Sequence, residues 1–350
     1  MWEMIREAQR EVNLEFRDRY EAVDFEIWQG RVDSEENYDA FRWHQWVKPL
    51  NLQYPIPAFS GDMGFAFLGF CCDEGIRRNK GRQGAAAGPY EIRRELVNLP
   101  CAFSQNVRLF DAGNITCRDG GLMKSQQALE QAVFCLRQAG LFPIIIGGGH
   151  ETALGHFRGQ ANFLRQMDGN CDLGILNFDA HFDLRPFAGG ENSGTMFRQI
   201  AEELREKNET FHYFCLGIQR SSNTLELFKT ANQLGVQYLL AGDIAMQYDE
   251  SIMEKLDSFM QPLTSLYVTI CADVFASSFA PGVSAPQPLG LNPEMVLKYL
   301  KHMLRTQKVV GFDIVEVSPR FDHDRATASL AKVIIFAVVD TICRLKGLAR

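Results

Sequence analysis

The sequence contains no long apolar run and no surplus of positive charge. No continuous apolar stretch approaches the roughly 20 residues of a membrane-spanning helix, and the charged, amphipathic first residues differ from a secretory signal. The formal net charge is -7, and the one basic run, residues 77–82, is short. These absences argue against a membrane protein and against a nucleic-acid-binding surface.

The nine cysteines lack the spacing of a disulfide framework or a zinc site. All except Cys71 and Cys72 stand alone, and there is no CxxC motif. This distribution is typical of a reducing compartment, so we predict a cytoplasmic protein with mostly unreactive cysteines. The residues that are plentiful, 46% hydrophobic with 26 phenylalanines in 350 positions, indicate an ordered globular protein of enzyme size.

Apolar runs alternate with segments of helical pattern from residue 65 onwards. They lie at residues 65–70, 107–112, 142–148, 173–179, 211–218, 236–242, 265–270 and 309–317. Because the runs are apolar on both faces, they indicate parallel strands covered by helices on both sides. We predict a three-layer α/β/α sandwich in residues 61–350. Residues 1–60 are predicted to form an N-terminal helical extension, with helices over 1–26 and 35–48.

Side chains that can bind metal stand at the ends of several predicted strands. His150 follows three glycines, Cys271 and Asp273 follow the run at 265–270, and Glu316 lies near the end of the last run. In open α/β sheets, ligands bind beyond the carboxyl ends of the strands. We therefore expect these side chains to face one crevice.

The segment DAHFD is the most specific of these strand ends. Asp179, His181 and Asp183 alternate along the chain, so an extended backbone projects all three to one side. Two carboxylates and an imidazole suit a borderline-hard ion such as Mn²⁺ better than a thiolate-rich zinc site. Together with the other strand ends, this segment predicts a metal site.

Five stretches, which include the strand ends described above, fit one family pattern in order and spacing. They are GGGHE, NFDAHFDLR, NSGTMFRQI, CADVF followed by APGVSAP, and FDIVEVSP. Over about residues 60–345 the chain thereby resembles the arginase/agmatinase (ureohydrolase) superfamily, and in particular its formimidoylglutamase branch. The resemblance implies an arginase-like, eight-stranded and mainly parallel sheet with a binuclear manganese centre.

The resemblance also implies the ligands and the reaction. One Mn²⁺ would be held by His150, Asp179 and Asp183, and the other by Asp179, His181 and Asp273. Water ionised between the two ions would hydrolyse N-formimidoyl-L-glutamate to L-glutamate and formamide, a step of histidine degradation. The catalytic residues implied are Asp183 and Glu316.

Two departures from the family pattern bear on activity. Phe197 stands in SGTMF where arginases carry a histidine, so hydrolysis of arginine to urea is not expected. Cys271 stands where the family has the first, bridging Asp of an Asp-x-Asp pair. A thiolate keeps the negative charge, but it has one donor atom and longer bonds. We expect two Mn²⁺ ions per chain. Because of Cys271, the alternatives of a single ion or of a softer ion stay open.

The substrate implied by the resemblance has an amidine at one end and two carboxylates. Glu316 is predicted to accept hydrogen bonds from the amidine N–H groups. An arginine fork matches a carboxylate, and hydroxyl and amide groups can complete the contacts. The predicted carboxylate partners are Arg185, Asn192, Ser193, Thr195 and Arg82.

Two other readings stay open at this point. The first is a hydrolase of a guanidino compound such as agmatine or guanidinobutyrate, which would release urea. The second is a non-catalytic family member whose metal centre is impaired by Cys271. The expected partner is a small-molecule substrate, with no nucleic acid and no membrane, and a homo-oligomer is left open because the family commonly assembles.

Overall fold

Residues 14–246 and 249–350 are described in a computed structural model of the chain. These residues form ten strands, and eight of them coincide with the predicted runs. The strands are β1 Tyr20–Glu21, β2 Val47–Pro49, β3 Met63–Cys71, β4 Val107–Thr116, β5 Phe142–Ile146, β6 Leu173–Phe178, β7 His212–Ile218, β8 Gln237–Leu240, β9 Ser265–Cys271 and β10 Val309–Val315.

Helices connect most of these strands. Those of the described residues are α1 Leu14–Arg19, α2 Trp43–Trp46, α3 Glu74–Arg78, α4 Gly88–Leu96, α5 Leu122–Gln138, α6 Thr152–Asp168, α7 Met196–Glu206, α8 Leu225–Gln233, α9 Ala241–Met246, α10 Asp249–Met260, α11 Pro293–Arg305 and α12 Ala326–Leu345. Helix α11 shows how the sequence sets a helix start. The Asn292 side chain accepts a hydrogen bond from the backbone N–H of Glu294 at 2.8 Å, and Pro293 occupies the first turn.

All ten strands belong to one sheet, in the order β1-β4-β3-β5-β10-β9-β6-β7-β8, with β2 paired to β4. Every pairing is parallel except that of β1 with β4. The four strands whose ends carry the predicted metal ligands and Glu316, namely β5, β10, β9 and β6, are direct neighbours at the centre of the sheet. Their carboxyl ends therefore lie side by side.

The core lies on both faces of the sheet, as the apolar runs predict. Along β3, Phe65 and Phe67 pack with helices α4, α11 and α12, whereas Ala66 and Leu68 pack on the other face with α5. Helices α6, α7 and α8 continue that second layer. Both phenylalanines are fully buried, and each such side chain contributes about 1.5–3 kcal/mol by leaving water. The predicted three-layer sandwich is confirmed.

Helix α12 is the one described helix that is long and apolar enough to cross a membrane by length and composition, with a mean hydropathy of 1.8. Its apolar run is interrupted by Lys332 and Asp340. Residues Ile335 and Val338 are fully buried in the core, and 61% of the most apolar window of the helix is buried. This burial is expected of a helix that packs its apolar side chains against the sheet.

The prediction of helices over 1–26 and 35–48 is wrong for most of residues 14–26 and 35–48, and residues 1–13 lie outside the described part of the chain. The first helix ends at Arg19 and the chain continues as β1, while the second is reduced to the short α2. The reason is tertiary contact. The Trp28 indole N–H donates to Asp111 at 2.7 Å, and the buried Trp43 ring stacks on Phe67 with 5.7 Å between ring centroids. These contacts fix the segment along the sheet edge, overriding its helical pattern.

Candidate metal centre

Tight turns after the central strands bring the ligand-type residues together. Glycines at residues 147–149 carry the chain from β5 into α6. A Cβ on Gly148 would lie 1.8 Å from the backbone oxygen of Cys72, so only glycine fits between these two strand ends. The turn places the backbone N–H of His150 3.0 Å from a carboxylate oxygen of Glu316, which follows the adjacent β10.

The first cluster surrounds the imidazole of His150. Its Nδ1 lies 2.9 Å from Oδ2 of Asp179 and 3.1 Å from Oδ2 of Asp183. The ligand atoms of His150, Asp179 and Cys271 all lie within 4.8 Å of one another. The structure thus brings a nitrogen, two carboxylates and a thiol to one point in the crevice.

The second cluster shares Asp179 with the first. Nδ1 of His181 lies 3.4 Å from Oδ1 of Asp179 and 3.1 Å from Oδ2 of Asp273. The ligand atoms of these three residues also lie within 4.8 Å of one another. One buried carboxylate therefore presents an oxygen to each of two neighbouring groups of ligands.

Unpaired polar atoms support a cation at this point. Oδ1 of Asp273 and Oε2 of Glu316 are buried without a hydrogen-bond partner among the described residues, and Nδ1 of His150 faces only carboxylate oxygens. Leaving a buried polar atom unpaired costs about 1–3 kcal/mol, and more when the group is charged. Carboxylate oxygens and imidazole nitrogens are suitable ligands for manganese. The residues present therefore fit one or two divalent ions.

The protonation of the cluster follows from burial and from its own charges. Burial alone would lower the pKa of His150, but hydrogen bonding and charge from Asp179 and Asp183 raise it well above its ordinary value. For His181, burial is likewise outweighed, here chiefly by Asp273. Burial and the charge of Asp179 raise the pKa of Asp183 to about 6. Without an ion, the two imidazoles hold protons that a metal must displace.

Cys271 ends β9 within the first cluster. Burial, followed by the charges of Asp179 and Asp273, raises the pKa of its thiol well above the ordinary range. The thiol is therefore neutral when only carboxylates surround it. A coordinated cation reverses this balance, because metal-bound thiols lose their proton.

Glu316 and Asp183 have backbone conformations that are uncommon for residues with a side chain. Their φ angles are 66° and 52°, in the left-handed region, at a cost of about 1–3 kcal/mol each. Glu316 is also buried, and burial together with the charges of Glu151 and Asp273 raises its pKa well above the usual range. Strain and a destabilised buried carboxylate in the same crevice are typical of a functional site.

Of the predicted carboxylate partners, the structure joins Arg185 and Ser193 through Asn79. The Arg185 guanidinium donates to Oδ1 of Asn79 at 2.9 Å, and Nδ2 of Asn79 donates to the Ser193 hydroxyl at 3.3 Å. Arg185 is exposed and Asn79 half-buried. This group lies on the loops that follow β3 and β6, at the same edge of the sheet as the clusters.

Arg82 contacts backbone oxygens of the protein. Its guanidinium donates to the backbone oxygens of Val283 at 2.6 Å and Ser284 at 3.0 Å, and it lies 4.2 Å from the centre of the Phe321 ring. These contacts tie the loop after β3 to the APGVSAP segment. The arginine is thus occupied by the protein itself.

Asn192 and Thr195 bond to each other. The Thr195 hydroxyl accepts from the Asn192 backbone N–H at 3.0 Å and donates to the Asn192 oxygen at 2.9 Å. Oδ1 of Asn192 accepts from the backbone N–H of Gly194. Both side chains close the turn that carries Ser193 into α7.

The sequence reasoning did not identify the residues that orient Asp179. Nδ2 of Asn177 donates to Oδ2 of Asp179 at 3.2 Å and to the Tyr213 hydroxyl at 2.9 Å. Asn177 is fully buried. An amide inside the otherwise apolar run LGILNF was the signal available in the sequence, because a buried amide needs polar partners.

A parallel sheet whose central strand ends hold two overlapping histidine–carboxylate clusters is the architecture of a metal-dependent hydrolase. Residues 63–339 match the family model described as the arginase family, and the chain belongs to that family. It is 52% identical over 331 residues to the formimidoylglutamase of Clostridium tetani (strain Massachusetts / E88), covering 94% of this chain and 98% of that protein. The predicted family is confirmed.

Solved structures agree on the fold. Formimidoylglutamase from Bacillus subtilis subsp. subtilis str. 168 superposes with a TM-score of 0.74 at 22% identity, covering 90% of this chain and 96% of that one. Trypanosoma cruzi formiminoglutamase with Mn²⁺₂ has a TM-score of 0.71 at 26% identity, covering 83% of this chain and 97% of that one. The predicted arginase-like fold class is confirmed.

Proposed function

We propose that this protein hydrolyses N-formimidoyl-L-glutamate to L-glutamate and formamide. The observation that carries the hydrolytic chemistry is the sharing of Asp179 by two clusters, one around His150 and one around His181. The choice of substrate is supported by the Clostridium tetani formimidoylglutamase, which this chain matches over nearly the whole length of both proteins. In the reaction the C–N bond to the glutamate nitrogen is broken, and that nitrogen gains a proton.

We assign one ion to His150, Asp179, Asp183 and Cys271, and the second ion to Asp179, His181 and Asp273. Mn²⁺ is the ion that the donor set favours, and the Trypanosoma cruzi formiminoglutamase structure with Mn²⁺₂ supports this choice. Two such ions supply a Lewis acid that makes water a nucleophile near neutral pH. The side chain of His181 is 21% exposed, and those of the other ligands are 12% exposed or less.

Two acids of this chain act on the substrate itself. Glu316 accepts hydrogen bonds from the amidinium N–H groups, because its carboxylate is buried with one oxygen unpaired. A cation in contact would lower the pKa that burial has raised, so substrate and Glu316 stabilise each other. We assign to Asp183, which lies beside His150, the passing of a proton from the attacking water to the departing glutamate nitrogen.

Arg185 is the cation that binds a substrate carboxylate. Asn79 accepts from its guanidinium and donates to Ser193, so the three side chains form one polar surface. The remaining N–H groups of Arg185 can donate to a carboxylate in a fork. Asn192 and Thr195 shape the turn that presents Ser193.

We also propose a cytoplasmic location, because the nine cysteines lack the spacing of a disulfide framework. The division into an extension, residues 1–60, and a catalytic domain, residues 61–350, and a homo-oligomeric state remain proposals.

A product assay tests the function directly. The protein is stripped with a chelator, reloaded with Mn²⁺ and incubated in parallel with formimidoylglutamate, agmatine and guanidinobutyrate. We expect metal-dependent release of formamide and glutamate from the first compound and no urea from the other two. Release of urea alone would instead identify a guanidino hydrolase, and absence of both products with no bound metal would identify a non-catalytic member. The Asp273→Asn variant is the inactive control.

A further inference from the structure

A continuous line of buried polar side chains runs from His150 into the centre of the protein. Nε2 of His150 lies 3.1 Å from the Thr269 hydroxyl, and Tyr267 lies two residues before Thr269 on the same face of β9. The Tyr267 hydroxyl donates to Oδ2 of Asp313, and Nδ1 of His156 lies 2.7 Å from the same oxygen. His150 is 1% exposed and the other four residues are fully buried. The metal clusters account for none of the last four.

The sheet and one glycine place these groups in contact. Tyr267 and Thr269 alternate along β9 and so share a face, and Asp313 pairs with Thr269 in the register of β9 with β10. His156 comes from α6, which covers this face. A Cβ on Gly311 would lie 2.7 Å from Nε2 of His156, so glycine leaves the room that the imidazole occupies.

The hydrogen bonds in this line have one consistent direction. Burial and the charge of Asp313 raise the pKa of Tyr267 well above its ordinary value, so the phenol keeps its proton and donates it to Asp313. Because the Tyr267 proton goes to Asp313, the Tyr267 oxygen can only accept from the neighbouring Thr269 hydroxyl, which has a single proton to give. The Thr269 oxygen is left to accept from Nε2–H of His150.

This direction decides which nitrogen of His150 can bind a cation. With the proton held on Nε2, the lone pair of the neutral ring lies on Nδ1. Nδ1 is the nitrogen that faces the predicted ligands Asp179 at 2.9 Å and Asp183 at 3.1 Å. Partners behind a ligating histidine are known to set both its tautomer and its ring orientation.

We propose that Thr269, Tyr267 and Asp313 form a positioning relay that holds His150 in the tautomer and orientation required for a metal ion. The inference rests on the proposed function, since it takes His150 to be a ligand. His156 anchors the far end of the relay by donating to Asp313. None of the relay residues contacts substrate, and each acts only through His150.

The test measures the Mn²⁺ affinity of each of the two sites. If these residues only stabilised the fold, their replacement would not weaken one site and spare the other. Full-length protein is stripped with a chelator and titrated with Mn²⁺, and free Mn²⁺ is followed by electron paramagnetic resonance. Thr269→Val and Tyr267→Phe should each weaken the binding of one of the two ions by about 10- to 100-fold. The affinity for the other ion should be nearly unchanged. Thr269→Ser keeps the hydroxyl and should retain the affinity of the unaltered protein.

A matched control separates the relay from the loss of any buried hydroxyl. Tyr299 is also fully buried, and its hydroxyl donates to Asp249 at 2.7 Å, on the helices α10 and α11. Tyr299→Phe should therefore leave both affinities unchanged. Thermal unfolding of the metal-free variants checks folding, and Thr269→Val, which nearly preserves side-chain shape, serves if Tyr267→Phe is unstable.

The outcomes distinguish the inference from the function on which it rests. If the unaltered protein binds Mn²⁺ and both Thr269→Val and Tyr267→Phe bind both ions as tightly, the relay is wrong and the metal centre stands. Equal weakening of both ions, or failure of Thr269→Ser to retain affinity, would also overturn it. If the unaltered protein binds no Mn²⁺, the proposed metal centre fails together with the relay.

Discussion

Nδ1 of His150 faces Oδ2 of Asp179 across 2.9 Å, at a point where neither atom is accessible to water. Burial would lower the pKa of His150, but Asp179 and Asp183 raise it well above the ordinary value. The pair is therefore held together either by a proton or by a cation. This competition governs how the protein responds to pH and to metal.

Mn²⁺ affinity should rise as the pH increases from about 6 to 8. Asp183, with a pKa raised to about 6, must lose its proton, and His150 and His181 keep theirs through neutral pH because both pKa values are raised. Each binding event therefore releases protons, which higher pH favours. Calorimetric titration in two buffers of different ionisation enthalpy counts these protons. An affinity independent of pH would contradict the assignment of these three ligands.

Removal of metal should make stability fall with rising pH. A histidine whose pKa is raised on folding contributes stability below its unfolded pKa of about 6.5 and loses that contribution as the pH rises through the folded value. We expect the melting temperature of the chelator-treated protein to fall as the pH rises above about 6.5, while the Mn²⁺-loaded protein is less affected. Parallel melting curves check this, and identical slopes for the two forms would refute it.

Replacement of Cys271 by Asp should tighten Mn²⁺ binding. The carboxylate offers two oxygen donors where the thiolate has one sulfur, and manganese prefers oxygen. Cys271→Ser removes the negative charge and should weaken binding. Cys343→Ser, at another fully buried cysteine on α12, is the matched control and should have no effect on metal affinity. Unchanged affinity in both Cys271 variants would exclude this residue from the ligands.

Arg185→Met should raise KM for formimidoylglutamate while kcat changes little. A hydrogen bond to a charged group contributes about 1.5–3 kcal/mol, which corresponds to roughly 10- to 100-fold in KM. Arg198→Met removes an arginine of α7 that pairs with Glu202 on the surface, and it should leave KM unchanged. A large loss in kcat with unchanged KM would show that Arg185 does not bind substrate.

The buried ion pair of Arg93 and Asp111 should be essential for folding. Nε of Arg93 lies 2.7 Å from Oδ2 of Asp111, which also accepts from Trp28, and both charged groups are fully buried or nearly so. Arg93→Met leaves a buried carboxylate unpaired and should lower the free energy of unfolding by about 3–5 kcal/mol. Arg94→Met, at the exposed neighbour, should cost less than about 1 kcal/mol. Urea denaturation measures both changes.

The main strands and much of the metal centre could be predicted from sequence because their signals are local. A run that is apolar on both faces has to be buried on both faces, which makes a covered parallel strand its stable state. Asp179, His181 and Asp183 are brought to one pocket by the alternation of a short extended segment. The ligand position of Cys271 was implied by the resemblance to the arginase/agmatinase superfamily, whose pattern has an aspartate there.

The remaining features depend on contacts between distant parts of the chain, which local patterns do not encode. The N-terminal segment has a helical pattern, yet Trp28 and Trp43 find partners in the sheet and hold it along the edge. Arg82 and Arg185 are equivalent as residue types, but backbone oxygens of the APGVSAP loop take up the first and Asn79 orients the second. By itself the sequence determined the layers, the strand ends and the ligand types. Only the tertiary structure decided which polar groups pair, because a hydrogen bond depends on ångström distances set by packing.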